Sequence, residues 1–458
     1  MTTLSRQTNG RPKAPVRIVH LGIGNFTRAH QAWYTEHAAD ADQWGIAAFT
    51  GRSAAIAETL RPSEGLYQLC VATPEGDEVE VISVLSEVHA ADDLEAWRGY
   101  FADPRLAIVT STITEAGYLR NKDGDLDTAN PQLQADIAAL KANPEAEVAT
   151  GPAKFVAGLL ARRSAAEQDA SHDWLLTFCP CDNIPENGEM VQRIISQAAE
   201  QVDPSLVGWL GEHVGFVATM VDRITPRTTD EDRERVASET GITDPALVIT
   251  EPFAEWVLSG EFKAGRPAWE TEGARFVDDV VPHEARKLTL LNGSHSLMAY
   301  AGSIRGHETV YDAITDEVVL GWVDEFWDDA VKHLELPAQE LADYREALLG
   351  RYRNPRIKHL LAQIAGDGSQ KVLIRHVPTI RASLEQGEVA EGATRAVAAW
   401  ILHLRGAGAP VTDARRDEVL ALVQGDEEAS VHWVLDHLGI DDERIAQTVS
   451  RQMAELQA

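Results

Sequence analysis

Between Pro282 and Tyr300 the chain sets polar groups of different chemistry among apolar residues. Pro282 suits the first position of a helix, which then runs through His283-Glu284-Ala285-Arg286-Lys287-Leu288-Thr289-Leu290-Leu291-Asn292-Gly293-Ser294-His295. Wound at about 100° per residue, Glu284, Lys287 and His295 fall in one narrow sector, with Asn292 at its edge. Leu288, Leu290, Leu291, Leu297 and Met298 surround the helix on nearly every side, which is how a buried helix reads. Burial disfavours a charged amine and moves its pKa toward neutrality, so Lys287 reads as a usable proton acceptor. The same pattern also suits a structural polar network, because buried polar groups must be paired in either case.

A second constellation lies near the start. Val16 to Leu21 is a short apolar run that reads as a buried strand ending at Gly22, and Arg28 to Ala39 has helix-like composition. Gly22-Ile23-Gly24-Asn25-Phe26-Thr27-Arg28 therefore places two glycines where a backbone must turn sharply and let a pyrophosphate approach a helix N-terminus. The third glycine of the usual fingerprint is missing, and glycines also serve as plain loop residues. At the end of the second strand, where an acid would hold the ribose 2′-hydroxyl of NAD, the chain reads Thr50-Gly51-Arg52-Ser53. Arg52 and Ser53 suit a 2′-phosphate, or Arg52 simply faces solvent, which leaves NAD and NADP both open.

The elements that must carry these groups alternate in type. Strands are expected at Trp44 to Thr50, Leu106 to Thr112, Trp174 to Phe178 and Val214 to Val221, with helices such as Pro152 to Arg163 and Met190 to Gln201 between them. That alternation implies an α/β fold, a doubly wound parallel sheet covered on both faces. After about residue 281 the strand signals fade, and amphipathic patterns such as Leu320 to Leu334 and Arg415 to Val423 indicate an all-helical remainder. The division expected is 1–281 for a dinucleotide-binding domain and 282–458 for a helical one, in keeping with a chain of 458 residues, too long for a single core.

Bulk composition narrows the partners. The formal net charge is -31, from 72 acidic and 41 basic side chains, and such a surface repels phosphate backbones and anionic lipids. Nucleic acid is not an expected partner. Cys70, Cys179 and Cys181 are too few for a disulfide framework, Met1 to Pro15 lacks a signal-like apolar region, and no long apolar run suggests a membrane span. The expectation is a cytoplasmic protein. His172, His213, His283 and His295 make no tight ligand spacing with the cysteines, and Cys179-x-Cys181 alone cannot complete a tetrahedral site, so no metal is expected.

Five blocks together resemble the mannitol 2-dehydrogenase family of polyol-specific long-chain dehydrogenases, which includes fructuronate reductases. They are Gly22 to Gln31, Thr112-Ile113-Thr114-Glu115-Ala116-Gly117-Tyr118, Cys181-Asp182-Asn183-Ile184-Pro185-Glu186-Asn187-Gly188, Val221-Asp222-Arg223-Ile224-Thr225-Pro226 and Lys287 to Ser296. The resemblance implies a Rossmann-type domain, a helical domain, a substrate pocket between them, an NAD or NADP coenzyme and a small polyol or sugar-acid substrate. A monomer or weak oligomer is expected.

By the same resemblance Lys287 takes the hydroxyl proton as hydride leaves the carbinol carbon, and Asn183 and Asn292 donate hydrogen bonds to the reacting oxygen. His295 positions substrate, Asp222 lines the site, and Glu284 passes the proton toward solvent. Gly22, Ile23, Gly24, Asn25, Phe26, Arg28 and Arg52 are expected to hold the coenzyme, and Glu115 stands as a further pocket candidate. Asp367-Gly368-Ser369-Gln370-Lys371 leans toward the hexuronate branch and Val377-Pro378-Thr379-Ile380-Arg381 toward the mannitol branch. Lys371, Arg375 and Arg381 are the cations available to anchor a carboxylate. The substrate is expected to be a polyol of the mannitol/fructose type, with an aldonate such as mannonate as the alternative. A non-catalytic dinucleotide sensor is the remaining one.

Overall fold

The computed structural model describes residues 2–458. Contacts divide the chain into two compact units, Met1–Val281 and Pro282–Ala458.

The strands of the first unit are β1 (Val16–Leu21), β2 (Gly45–Phe49), β3 (Tyr67–Ala72), β4 (Asp77–Ile82), β5 (Leu85–His89), β6 (Ile108–Ser111), β7 (Leu176–Pro180), β8 (Val214–Phe216), β9 (Ala218–Asp222), β10 (Val248–Thr250), β11 (Glu255–Ser259) and β12 (Arg275–Phe276). Six of them form a sheet in the order β5-β2-β1-β6-β7-β8, and every neighbouring pair is parallel. A parallel sheet needs both faces covered, and alternate side chains show how this one achieves it. Ile18, Ile46, Ala48, Ile108 and Cys179 enter one apolar core, while Val19, Leu21, Ala47, Phe49, Val109 and Phe178 enter the other. The second core is closed by the helices Leu94–Phe101, Gly151–Gln168 and Asn187–Val202.

The strand order reverses at β1, whose neighbours β2 and β6 lead away in opposite directions. The loops beyond the carboxyl ends of β1 and β6 therefore part, leaving the crevice in which open α/β sheets bind ligands.

Two smaller sheets correct the sequence reading. The run Val214 to Val221 is two strands, not one: Val217 makes the last bond to β7, its N–H donating to Phe178 O at 2.9 Å, and β9 then pairs antiparallel with β11. The β3–β4 hairpin, extended by β10, forms a further sheet with no counterpart in the expected series. The single helix expected at Arg28 to Ala39 begins earlier and breaks at His30, giving Asn25–Ala29 and Gln31–His37.

The second unit is helical, with an isolated bridge between Thr309 and Leu360. Its centre is Glu391–Leu404, buried almost throughout, as expected for a helix apolar on all sides. Gly392 lets it approach Glu317–Ala330, since a Cβ there would lie 2.2 Å from Phe326 N.

The lysine helix departs from its expected winding. Val281–Arg286 is α-helical, Lys287–Gly293 is π-helical, Ser294–Leu297 is α-helical and Met298–Gly302 is π-helical again. Side chains compete for the carbonyls of the widened turn. Leu290 O accepts from Trp327 Nε1 at 3.0 Å and Ser294 Oγ at 2.6 Å, and Leu291 O accepts from Tyr352 Oη at 3.3 Å. Inserted donors of this kind loosen the i→i−4 ladder.

Candidate active site

At the switch point a pocket of about 470 Å³ is lined by Leu21, Gly22 and Ile23 after β1, Gly51 and Arg52 after β2, Thr112 to Thr114 after β6, and Thr150, Gly151 and Lys154. Gly22 has φ +100°, and a Cβ there would stand 2.4 Å from Thr112 O, so only glycine makes this turn. At Gly24 a Cβ would meet nothing closer than 3.8 Å, which leaves open space of the sort an approaching pyrophosphate fills. The residues present thus fit a dinucleotide.

Beneath the turn, His20 is fully enclosed. Its Nδ1 bonds Thr110 Oγ1 at 2.8 Å and its Nε2 bonds Thr27 Oγ1 at 2.8 Å and Thr112 Oγ1 at 3.0 Å. Burial pulls its pKa down to about 3, so the ring stays neutral and holds β1, β6 and the first helix together.

Several residues expected in the coenzyme site have other work. Arg28 is buried and donates to Gly24 O at 3.1 Å, Asn25 Oδ1 at 2.7 Å and Ala246 O, so it shapes the glycine turn from behind. Asn25 is engaged with it, and Phe26 stacks on His30 with ring centroids 5.0 Å apart. Glu115 is not among the residues lining the pocket: its side chain is 68% exposed and pairs with Arg120, while its neighbours Thr114 and Ala116 line it. Ser53 Oγ accepts from Ala55 N at 3.2 Å at the start of the next helix, and Arg52 is exposed at the pocket's edge.

The loop after β7 carries Asn183, which is exposed, between two buried anchors that the sequence reading did not single out. Asp182 accepts from Ile113 N at 2.6 Å, Ser111 Oγ at 2.9 Å and Tyr118 Oη. Asn187 donates to Asp182 O at 3.0 Å and Thr219 O at 2.8 Å and accepts from Thr219 N at 2.9 Å. Together they tie the Asn183 loop to the pocket wall on one side and to β9, which ends at the buried Asp222, on the other. Arg223 donates to Glu251 O and Ala29 O, so it is fixed by backbone carbonyls.

Burial raises the Asp182 carboxyl to about 6, against hydrogen bonds that pull it down. Because the folded value lies above the unfolded one, the favourable contribution is present below about pH 4 and is lost as pH rises through 6. Asp182→Asn copies the protonated form. The stability gap between wild type and this variant, from urea unfolding, is expected to move toward the variant by about 3 kcal/mol between pH 4 and 7. A gap that stays flat with pH would remove the assignment.

In the second unit Lys287, Glu284 and Asn292 are half-buried, and His295 is buried with its Nε2 unpaired. The π-helical turn revises their arrangement. At α-helical pitch Lys287 and Asn292 stand about 140° apart; in an i→i+5 turn, residues five apart lie on successive turns. The widened turn therefore brings position 292 nearer to position 287 around the helix than α-helical winding would. Arg375 locks this segment, its Nη1 donating to Asn292 O at 3.1 Å and Ser296 Oγ at 2.9 Å.

Around His295 gather a second imidazole and three cationic side chains. Its ring lies 5.0 Å from that of His359, and burial, then His359, Arg351 and Arg375, hold its pKa well below normal. His359 is lowered to about 4 by burial, Arg351 and Lys371. Lys371, whose Nζ donates to Ile364 O at 3.0 Å, is lowered by burial and by Arg375. Arg381 donates to Leu438 O and Gly439 O, bonds that tie its helix to the segment around Gly439.

Residues 16–271 match the family model of the mannitol dehydrogenase Rossmann domain, and residues 279–456 match that of the mannitol dehydrogenase C-terminal domain. The chain belongs to the mannitol dehydrogenase family. Within that family it is 36% identical over 402 residues to the D-mannonate oxidoreductase of Escherichia coli (strain K12), covering 85% of this chain and 80% of that one. A solved D-sorbitol dehydrogenase in substrate-free form superposes with a TM-score of 0.89 at 29% identity, covering 100% of this chain and 98% of the other. The ternary complex of Pseudomonas fluorescens mannitol 2-dehydrogenase with NAD and D-mannitol gives a TM-score of 0.79 at 31% identity, covering 100% and 94%. As a mannitol dehydrogenase family member the chain is an oxidoreductase of secondary alcohols. Among its described residues, no helix is long and apolar enough to cross a membrane.

Proposed function

We propose that this chain interconverts a sugar-derived secondary alcohol and its ketone, with Lys287 as the general base in oxidation and the general acid in reduction. The observation that carries the reading is the π-helical turn that sets Lys287 and Asn292 on successive turns of one helix. A bound nicotinamide dinucleotide supplies the hydride acceptor. The chain's own part is to hold the carbinol oxygen and move its proton. Lys287 must be uncharged to accept that proton, so oxidation is expected to quicken with rising pH. Asn292 and Asn183 donate to the oxygen as alkoxide charge develops. Asp222 lines the site, and Glu284, one helical turn before the lysine, relays the proton outward.

The coenzyme is NAD or NADP. The first substrate class is the neutral polyol. The second, an aldonate such as D-mannonate, is supported by the cluster of His295, His359, Arg351, Lys371 and Arg375. Its cations are Arg351, Lys371 and Arg375; burial first, and then these neighbouring cations, lower the pKa values of His295, His359 and Lys371, and a carboxylate entering among them accepts charge-assisted hydrogen bonds. The cluster favours the sugar acid.

Steady-state rates with mannitol, arabinitol, sorbitol, mannonate and altronate, each with NAD+ and NADP+, test both readings. The expected result is a kcat/KM for an aldonate about tenfold or more above that for any polyol, the value of one charged hydrogen bond. A polyol preferred over both aldonates overturns the second reading, and turnover of none of the five overturns both.

A further inference from the structure

Lys154 lies in none of the motif blocks, yet it lines the dinucleotide pocket from the first turn of Gly151–Gln168. The residue is 5% exposed, and among the described residues its ammonium has no hydrogen-bond or ion-pair partner. Its backbone is fixed, because Lys154 N donates to Thr150 O at 3.0 Å and Lys154 O accepts from Trp97 Nε1 at 2.8 Å. Burial lowers its pKa, and the carboxylates of Asp92 and Asp136 act on it from a distance. Neither approaches to ion-pair range. Asp136 is held by Ala149 N, Thr150 N, Thr150 Oγ1 and Gln132 Nε2.

The helix start adds to this charge. Thr150 is the N-cap but makes no side-chain cap bond, since its hydroxyl donates to Asp136. The positive end of an 18-residue helix therefore faces the same pocket as the ammonium. The ammonium thus opens onto the pocket with no counter-ion beside it, and an anion there would accept a charge-assisted hydrogen bond. Across the pocket, β2 ends in Gly51-Arg52, where no acid opposes a phosphate.

We propose that the Lys154 ammonium binds a phosphate group on the adenosine half of the dinucleotide, an inference that rests on reading this pocket as the coenzyme site. That phosphate is either the 5′-phosphate shared by both coenzymes or the 2′-phosphate carried by NADP alone.

Calorimetric titration of the full chain with adenosine, 5′-AMP and 2′,5′-ADP separates the cases, using wild type, Lys154→Met and Lys154→Arg. Lys154→Met is expected to weaken the phosphate-bearing ligands about ten- to a hundredfold, as for a lost charged hydrogen bond, and to leave adenosine unchanged. Lys154→Arg should stay within a few-fold of wild type. Loss with 5′-AMP assigns the 5′-phosphate, and loss confined to 2′,5′-ADP assigns the 2′-phosphate. Equal weakening of all three ligands, or none of any, overturns the proposal while the pocket reading stands. A wild-type chain that binds none of these ligands and neither coenzyme overturns both. Thermal melting confirms folding, and Lys154→Gln supplies the same comparison should Lys154→Met not fold.

Discussion

Lys287→Ala is expected to lower kcat for alcohol oxidation by about 10⁴-fold while the Kd for the coenzyme stays within a few-fold of wild type. Positioned proton transfer contributes up to about that factor. The dinucleotide pocket is built from β1, β2, β6 and the Gly151–Gln168 helix, none of which includes the lysine. The rise of rate with pH should vanish in the variant, and an added small primary amine should restore part of the turnover. A purely structural lysine would show neither the lost pH dependence nor the rescue. Turnover within tenfold of wild type would remove the mechanism.

The second large effect falls on Asn292. Asn292→Ala is expected to reduce kcat by about 10²- to 10³-fold, the loss of one donor to developing oxyanion charge. KM should change little, because that bond strengthens only as the alkoxide forms. The π-helical winding of Lys287–Gly293, which sets positions 287 and 292 on successive turns, is what makes so large a figure reasonable. A variant impaired in KM alone would place Asn292 in ground-state binding.

The glycine turn after β1 was readable from residues because the strand before it is a closed apolar run and Gly22 follows at once. Its φ of +100° and the close approach of Thr112 O give the physical reason for that glycine. The lysine helix was readable as a helix, but its pitch was not. A π-helical turn leaves no period in the pattern of leucines; it arises from Trp327, Ser294 and Tyr352 competing for the carbonyls of Leu290 and Leu291, and two of these lie far along the chain. Val214 to Val221 reads as one strand because an apolar run does not reveal a change of partner at Val217. Lys154 sits in a helix where nine neighbouring positions are buried, and there a lone lysine looks like a stem reaching for solvent. Only the folding of β1, β2 and β6 around it shows a pocket. Arg28 and Glu115 show the converse: a residue inside a motif can serve the loop's shape or face outward.

The His20 knot under the glycine turn has a kinetic meaning. Four side chains, from β1, β6, the residue just after β6 and the first helix, are already locked together, and the N–H groups of Gly22 and Ile23 both rest on Phe49 O, at 2.9 and 3.0 Å. The incoming nucleotide meets a mould set in advance, so little ordering entropy is lost at that end. Amide protons there should resist exchange with solvent deuterium equally well before and after the nucleotide arrives.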